Sequence, residues 1–166
     1  MAVTAIARFE RFFRSVAGLD VDKSDLRRYS DFVNDKLYDL LLRAQAAAKA
    51  NGRDVIEPHD LPITKGLQER IHEFRTLDEE IELQPILDHL AARPPLDLAY
   101  GEEAEARLPA IAGGISVALA RTFKVIDSVA LARTFKVIDP ELKNPQTSAL
   151  GNGTAHLRSA AVTNAP

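Results

Sequence analysis

Cysteine is absent from the 166 residues of this chain, so disulfides and thiolate chemistry are excluded and a reducing interior is the natural environment. Long hydrophobic runs are absent too. No stretch reaches the roughly 18 uninterrupted apolar residues of a membrane span, and charge enters at Arg8. No signal peptide is visible at the N-terminus. We therefore expect a cytoplasmic protein that has no part embedded in a membrane.

The patterns that usually carry enzyme chemistry are missing as well. There is no Gly-rich phosphate loop, no Gly-x-Ser-x-Gly sequence and no pair of histidines at metal-ligand spacing. The glutamates within 79–82 and 102–105 would suit either metal ligands or solvated helix N-termini, and the second interpretation is favoured because acids are common at such termini. The sequence therefore predicts a protein that is not an enzyme, with no cofactor, no metal and no small-molecule substrate.

An overall excess of positive charge is also lacking, since the net charge is -3. Strong nucleic-acid binders usually have basic binding domains. The acid is concentrated in residues 76–115, which carry two basic and nine acidic side chains, a net of -7. Hydrophobic residues make up 46% of the chain, enough to bury the core of one domain or of two very small ones.

Helical spacing of apolar residues dominates the first half of the chain. A helix is predicted over residues 5–17, ending at Gly18, and a second, long helix from an N-cap at Ser24 to a glycine stop at 51–52. A short β-branched segment at 53–56 follows. A third helix is then predicted, which begins at 57–60, is bent at Pro62 and faces inward through Ile63, Leu67, Ile71 and Phe74.

This order of elements, and particular residues within it, resemble the histone fold of archaeal histones over residues 1–77. In those proteins an arginine of the second loop clamps an aspartate seven positions later, and Arg53 and Asp60 have that spacing. Arg11 and Arg14 fall where archaeal histones carry arginines of the first helix, and no gap is needed between Arg11 and Arg53. The resemblance implies a motif that pairs with a second histone fold about its long helix.

The second half of the chain repeats this order of elements. Apolar residues predict a short helix over 83–90, a loop at 93–96 and a second long helix from Glu102. Its inward stripe is Leu108, Ile111, Ile115, Leu119, Phe123 and Ile126.

Over about residues 3–147 the chain resembles the bacterial and archaeal family of uncharacterised histone-like proteins that carry two histone folds in one polypeptide. We therefore predict an all-α protein whose two tandem histone-fold motifs form an intrachain pseudodimer. The first motif covers 1–77, and the second covers 78–147 and is incomplete at its C-terminus. A disordered tail is predicted at 148–166, where glycine and alanine occur without period.

Two adjacent glycines lie near the middle of the second long helix, where each costs roughly 1 kcal/mol relative to alanine. Two long helices that cross at their centres need small residues on one side. We therefore predict that Leu37 or Tyr38, at the midpoint of the first long helix, packs onto Gly113 and Gly114. The alternative is that the glycines only kink the helix.

Residues 116–127 are repeated without change as residues 128–139. Twelve residues rotate a helix by about 120° beyond whole turns, so both copies cannot present the same face to one groove. The apolar stripe from Leu108 continues into the first copy, which we expect to be the copy in register. The second copy either continues the helix, which we favour, or breaks from it at residues 127–128 and folds back.

Basic residues near the N-terminus are candidates for the DNA contacts that the histone resemblance implies, although they would also suit a solvated helix face. Asp20, Asp54 and Val55 depart from the basic or polar residues of DNA-binding histones at these loop positions. We expect weak, sequence-independent binding to double-stranded DNA, with a nucleoid location, or alternatively a histone-fold scaffold for protein dimerisation that binds no DNA. The candidate DNA-binding residues are Arg8, Arg11, Arg14, Lys23, Arg27 and Arg28.

Overall fold

The computed structural model describes residues 3–90 and 95–138, with side chains described for 4–88 and 95–127. Its mostly helical composition confirms the all-α prediction. The predicted tail and the first half of the 93–96 loop lie outside the described residues. The elements in chain order are α1 (Val3–Ala17), α2 (Lys23–Ala50), β1 (Val55–Ile56), a 3-10 turn (Pro58–Asp60), α3 (Lys65–Ile81), α4 (Gln84–Leu90), β2 (Ala99–Tyr100) and α5 (Glu102–Ile138).

The ends of α2 show which local signals determine a helix. The predicted N-cap, Ser24, is wrong: Asp22 caps the helix, its Oδ1 accepting from the backbone N of Asp25 at 2.8 Å. The carboxylate of Asp25 accepts in return from the backbone N of Asp22, which completes a capping box. At the other end the predicted stop is confirmed, because Asn51 caps the helix and Gly52 has a φ of +67°.

The third helix begins later than predicted. Residues 58–60 form a separate 3-10 turn, and α3 starts at Lys65 behind the N-cap Thr64, whose Oγ1 accepts from Leu67 N at 3.3 Å. Pro62 explains the break, since it lacks an N–H and disfavours helical geometry in the residue before it. The predicted inward face is confirmed, with Ile71 and Phe74 buried and Leu67 partly buried.

In the second half of the chain, the predicted short helix is α4 and the predicted long helix is α5. α5 continues without interruption from the first copy of the repeat into the second, as far as Ile138, which agrees with the favoured alternative of a continuing helix. The stretch 102–127 is the one described helical stretch long and apolar enough to cross a bilayer, and half of its most apolar window is buried within the protein. This burial is consistent with the core helix of a soluble protein.

Two strands that are distant in sequence pair with each other. β1 and β2 are parallel, with Val55 opposite Ala99 and Ile56 opposite Tyr100. The segment before β2 is bound to α2, because the Oε1 of Gln45 accepts from the backbone N of Asp97 at 2.9 Å. β2 and its pairing were not predicted from the sequence.

The compact unit Met1–Lys124 contains two apolar clusters, and each is assembled from both halves of the chain. The first cluster includes Phe9, Tyr29 and Phe74 with Val117 of α5. The second places Leu37, Leu41 and Ile56 with Leu108 and Ile111. The predicted stripe on α5 is therefore buried at its N-terminal end, whereas Phe123 and Ile126 are 47% and 56% exposed.

α3 packs against α5 at the glycine pair, Gly113 and Gly114. A Cβ built on Gly113 would meet the ring of Phe74, and one on Gly114 would lie 2.6 Å from Ile71 Cγ1 and 3.0 Å from Ile71 N. The prediction that Leu37 or Tyr38 packs onto this pair is corrected accordingly. Leu37 is buried instead in the second cluster, which also contains Leu108 and Ile111, and Tyr38 is 42% exposed.

Candidate nucleic-acid interface

The six predicted DNA-binding residues divide into two groups in the structure, and Arg8 belongs to the group that is already engaged. Its Nη1 donates to the carbonyl oxygen of Glu82 at 2.7 Å, and its Nη2 lies 3.5 Å from a carboxylate oxygen of the same residue. Glu82 has a φ of 53° and ends α3. Arg8 therefore binds an orphan carbonyl at a helix C-terminus, which is a structural contact.

Arg14 is also paired within the chain. Its Nε and Nη2 donate to Asp20 Oδ1 at 3.2 and 2.7 Å. The hydrogen bond and the charge of Asp20 raise the pKa of Arg14 above its ordinary value. Asp20, the acidic first-loop residue that departs from the histone pattern, is thus the partner of Arg14, a predicted DNA-binding residue.

Lys23, Arg27 and Arg28 form the second group, together with Arg11. The three residues at the start of α2 line one surface depression together with Ile6 and Leu26, and Asp31 also lines it. We call it the basic depression. All four cations are exposed, and among the residues with described side chains none of them has a carboxylate partner.

Two further cations lie at the end of α2 and in the loop before β1, and both are neutralised. Arg53 donates to Asp60 through both terminal nitrogens, with Nη1 at 2.5 Å from Oδ2. This pairing, with a further hydrogen bond from Glu57 N, lowers the pKa of Asp60 to about 2 against the opposing effect of burial. Lys49 Nζ lies 2.6 Å from Asp97 Oδ2. Arg53 and Asp60 are therefore paired, but Asp60 lies in the 3-10 turn and not in the third helix as the resemblance implied. The loop region around this pair offers little free positive charge.

Acidic residues gather on a different surface, in a cleft between the α3–α4 junction and the start of α5. Asp78 acts there as a cap, since its Oδ1 accepts from Leu83 N at 2.5 Å and from Gln84 N at 2.9 Å. Among the described residues, no group of three or more histidine, aspartate or glutamate side chains is arranged to hold a metal ion. The lining carboxylates are Asp78, Glu82, Asp88, Glu102 and Glu105.

The carboxylate partners of Arg8 and Lys49 had no signal in the sequence, because Glu82 and Asp97 are 74 and 48 positions away. Arg14 and Asp20 are only six positions apart, but Arg14 lies in α1 and Asp20 in the loop that follows it, so helical spacing does not predict their pairing. Folding rather than spacing therefore decides which of the six predicted DNA-binding cations remain available for a ligand.

Comparison with known proteins places the chain in a family. A family described as "Domain of unknown function (DUF1931)" matches residues 9–129. Two uncharacterised proteins of Aquifex aeolicus are 32% and 27% identical to the chain, over 74% and 70% of its length and 78% and 68% of theirs.

Two crystal structures resemble the fold. One, of a Thermus thermophilus protein, shares 57% identity with a TM-score of 0.66, over 74% of this chain and 83% of that chain. The other, of an Aquifex aeolicus protein, shares 27% identity with a TM-score of 0.65, over 72% and 80% of the two chains. From these matches, the chain belongs to the DUF1931 family.

Proposed function

We propose that this protein is a non-enzymatic, histone-like protein that binds double-stranded DNA weakly and without sequence preference through the basic depression and Arg11. Two tandem histone-fold motifs in one chain account for the order of elements. They also account for the parallel pairing of β1 with β2, in which the loop after one long helix meets the loop before the other.

The observation that carries the proposal is the difference between engaged and available cations. Arg8, Arg14, Lys49 and Arg53 each have an acidic or carbonyl partner within the chain. The cations that line the basic depression, Lys23, Arg27 and Arg28, have no such partner among the residues with described side chains. A phosphate could therefore contact these cations without breaking an existing ion pair, and repulsion from Asp31, which also lines the depression, keeps the expected binding weak.

The number of cations sets the expected strength. Each phosphate contact contributes a slope of about -0.9 to the dependence of log affinity on log salt. Three or four contacts give a slope of roughly -3, so raising salt from 50 to 200 mM would weaken binding by about 40- to 150-fold. Such a slope is shallower than that of proteins that make six to ten phosphate contacts, and it corresponds to weak binding.

The test is titration of a duplex DNA of arbitrary sequence with purified protein at 50 and 200 mM salt. A variant with Lys23→Glu, Arg27→Glu and Arg28→Glu should lose binding at both salt concentrations. The matched control reverses three exposed cations elsewhere and changes the net charge equally, with Arg43→Glu, Arg75→Glu and Arg107→Glu. Equal losses in the two variants would show a general charge effect and refute the depression as the site.

A second candidate function is a histone-fold scaffold that binds protein partners and no DNA. It is supported by large apolar side chains on the outer surface of α2, where Phe32, Tyr38 and Leu42 are 38–42% exposed. Apolar contacts weaken little with salt. A chain that fails to bind duplex DNA at 50 mM salt, yet forms an oligomer that persists at high salt in sedimentation, would favour this function over DNA binding.

A further inference from the structure

The first copy of the twelve-residue repeat makes specific contacts with the rest of the fold. Ser116 and Val117 are fully buried, and the hydroxyls of Ser116 and Tyr29 are 2.7 Å apart. One turn later Ala120 is fully buried, and Arg121 Nε donates to Glu73 Oε1 at 2.9 Å. These positions lie on one helix face. We call the surface that receives them, which includes Tyr29 and Glu73, the α5 groove.

The second copy carries the same four residue types at the same spacing, Ser128, Val129, Ala132 and Arg133. Considered by itself, it would therefore fit the α5 groove as well as the first copy does. The sequence of the repeat cannot decide which copy is bound, so the decision must come from residues outside it.

We infer that the unrepeated part of α5, and above all Ala112–Gly114, fixes the register in which the first copy occupies the α5 groove and leaves the second copy without a role there. For the second copy to enter by sliding, α5 would move by twelve residues. Lys124, Val125 and Ile126 would then replace Ala112, Gly113 and Gly114.

The places that these residues would take are fully packed. Ala112 is 1% exposed, so a lysine there would bury a charge, which is costly. A Cβ at either glycine already meets α3, at the ring of Phe74 or at the backbone N of Ile71, and a β-branched side chain adds further atoms. Backbone cannot move aside as the end of a flexible side chain can. The shifted register is therefore excluded by α3.

The other route keeps the glycines in place and expels the first copy as a loop. Forming this loop of twelve residues breaks about three turns of helix. The contacts that the second copy would make in the α5 groove only replace the equal contacts of the first copy. Ordering a helix and closing a loop both cost conformational entropy, and this rearrangement forms no new contact that would compensate for that cost. The first copy therefore remains bound along either route.

Deletion cannot test this inference, because removing either copy leaves the same amino-acid sequence. Matched point variants can. Val117→Ala should lower the melting temperature by roughly 4–10 °C in a protein of this size, since it removes two methyl groups from a fully buried side chain. Val129→Ala, with identical neighbours over most of the repeat, should leave the melting temperature unchanged or slightly raised, because alanine favours helices more than valine does.

A charge exchange provides a second measurement of the same kind. Glu73→Arg places a third cation beside Arg70 and Arg121 and should lower the melting temperature. Adding Arg121→Glu should recover part of the loss, whereas adding Arg133→Glu should recover none. Equal effects of the two valine variants, or recovery by Arg133→Glu, would overturn the assignment and show that the second copy enters the groove.

Discussion

Because α3 packs closely against α5 at Gly113 and no atom crowds Gly66, we expect a glycine-to-alanine substitution to have opposite effects on stability at these two positions. Gly113→Ala gains about 1 kcal/mol of helix propensity but forces a methyl group into the ring of Phe74. Phe74 is fully buried and packs edge-on against Phe12, so the ring has little room to turn. Overpacking of this kind costs up to about 3 kcal/mol, which leaves a net loss of about 2 kcal/mol. In a chain of this length that corresponds to a melting temperature lower by roughly 4–8 °C.

The control is Gly66→Ala in the first turn of α3, where no heavy atom lies within 4 Å of the added Cβ. It should raise the melting temperature by up to about 4 °C, because only the propensity gain applies. Both variants are compared with the parent chain by reversible thermal unfolding followed by circular dichroism. A stabilising Gly113→Ala would refute the close approach of the two helices. Adding Phe74→Leu to Gly113→Ala should recover part of the loss.

Three further predictions concern the core, the clamp and the repeat. Ser116→Ala should destabilise the protein by about 1–3 kcal/mol in urea unfolding, because it leaves the buried Tyr29 hydroxyl unpaired, whereas Tyr29→Phe should cost only about 1 kcal/mol since Ser116 still donates to a helix carbonyl. Larger loss from Tyr29→Phe would contradict this hydrogen-bond direction. The lowered pKa of Asp60 means that its contribution to stability is complete above pH 4 and is lost as pH falls through about 2; the difference in melting temperature between the parent and Asp60→Asn should therefore shrink across that interval, and a constant difference would show that the charge of Asp60 is irrelevant. Deleting residues 128–139 should leave the melting temperature within a few degrees of the parent, and a marked drop would assign a stabilising role to the additional twelve residues.

The long helices could be predicted because their apolar residues recur at helical spacing and because glycines stand where α1 and α2 end. The start of α2 was misplaced for a local reason. Asp22, Ser24 and Asp25 are all residue types found at helix N-termini, and only the reciprocal pairing of the two aspartates identifies the cap. The break before α3 was underestimated, since a proline signals a bend without showing how far the helix start moves.

The candidate site was harder to predict than the helices. Six cations were chosen by proximity in sequence, but the structure removes Arg8 and Arg14 from the available set through partners that folding brings near. The glycine pair indicated a close helix crossing, and one does occur there. Its partner was predicted wrongly because the midpoint argument considered α2 alone, whereas α3 presents the bulky Phe74 to the same position.

The mixed composition of the two apolar clusters has a consequence for synthesis on the ribosome. Phe9, Tyr29 and Phe74 are translated well before Val117 and Ala120, with which they share one cluster. At about 5–20 residues per second, the 87 positions from Tyr29 to its hydrogen-bond partner Ser116 take roughly 4–17 s to appear. During that interval the nascent first half exposes apolar side chains that have no completed core. The newly made chain should therefore be a better substrate for general chaperones than the finished protein.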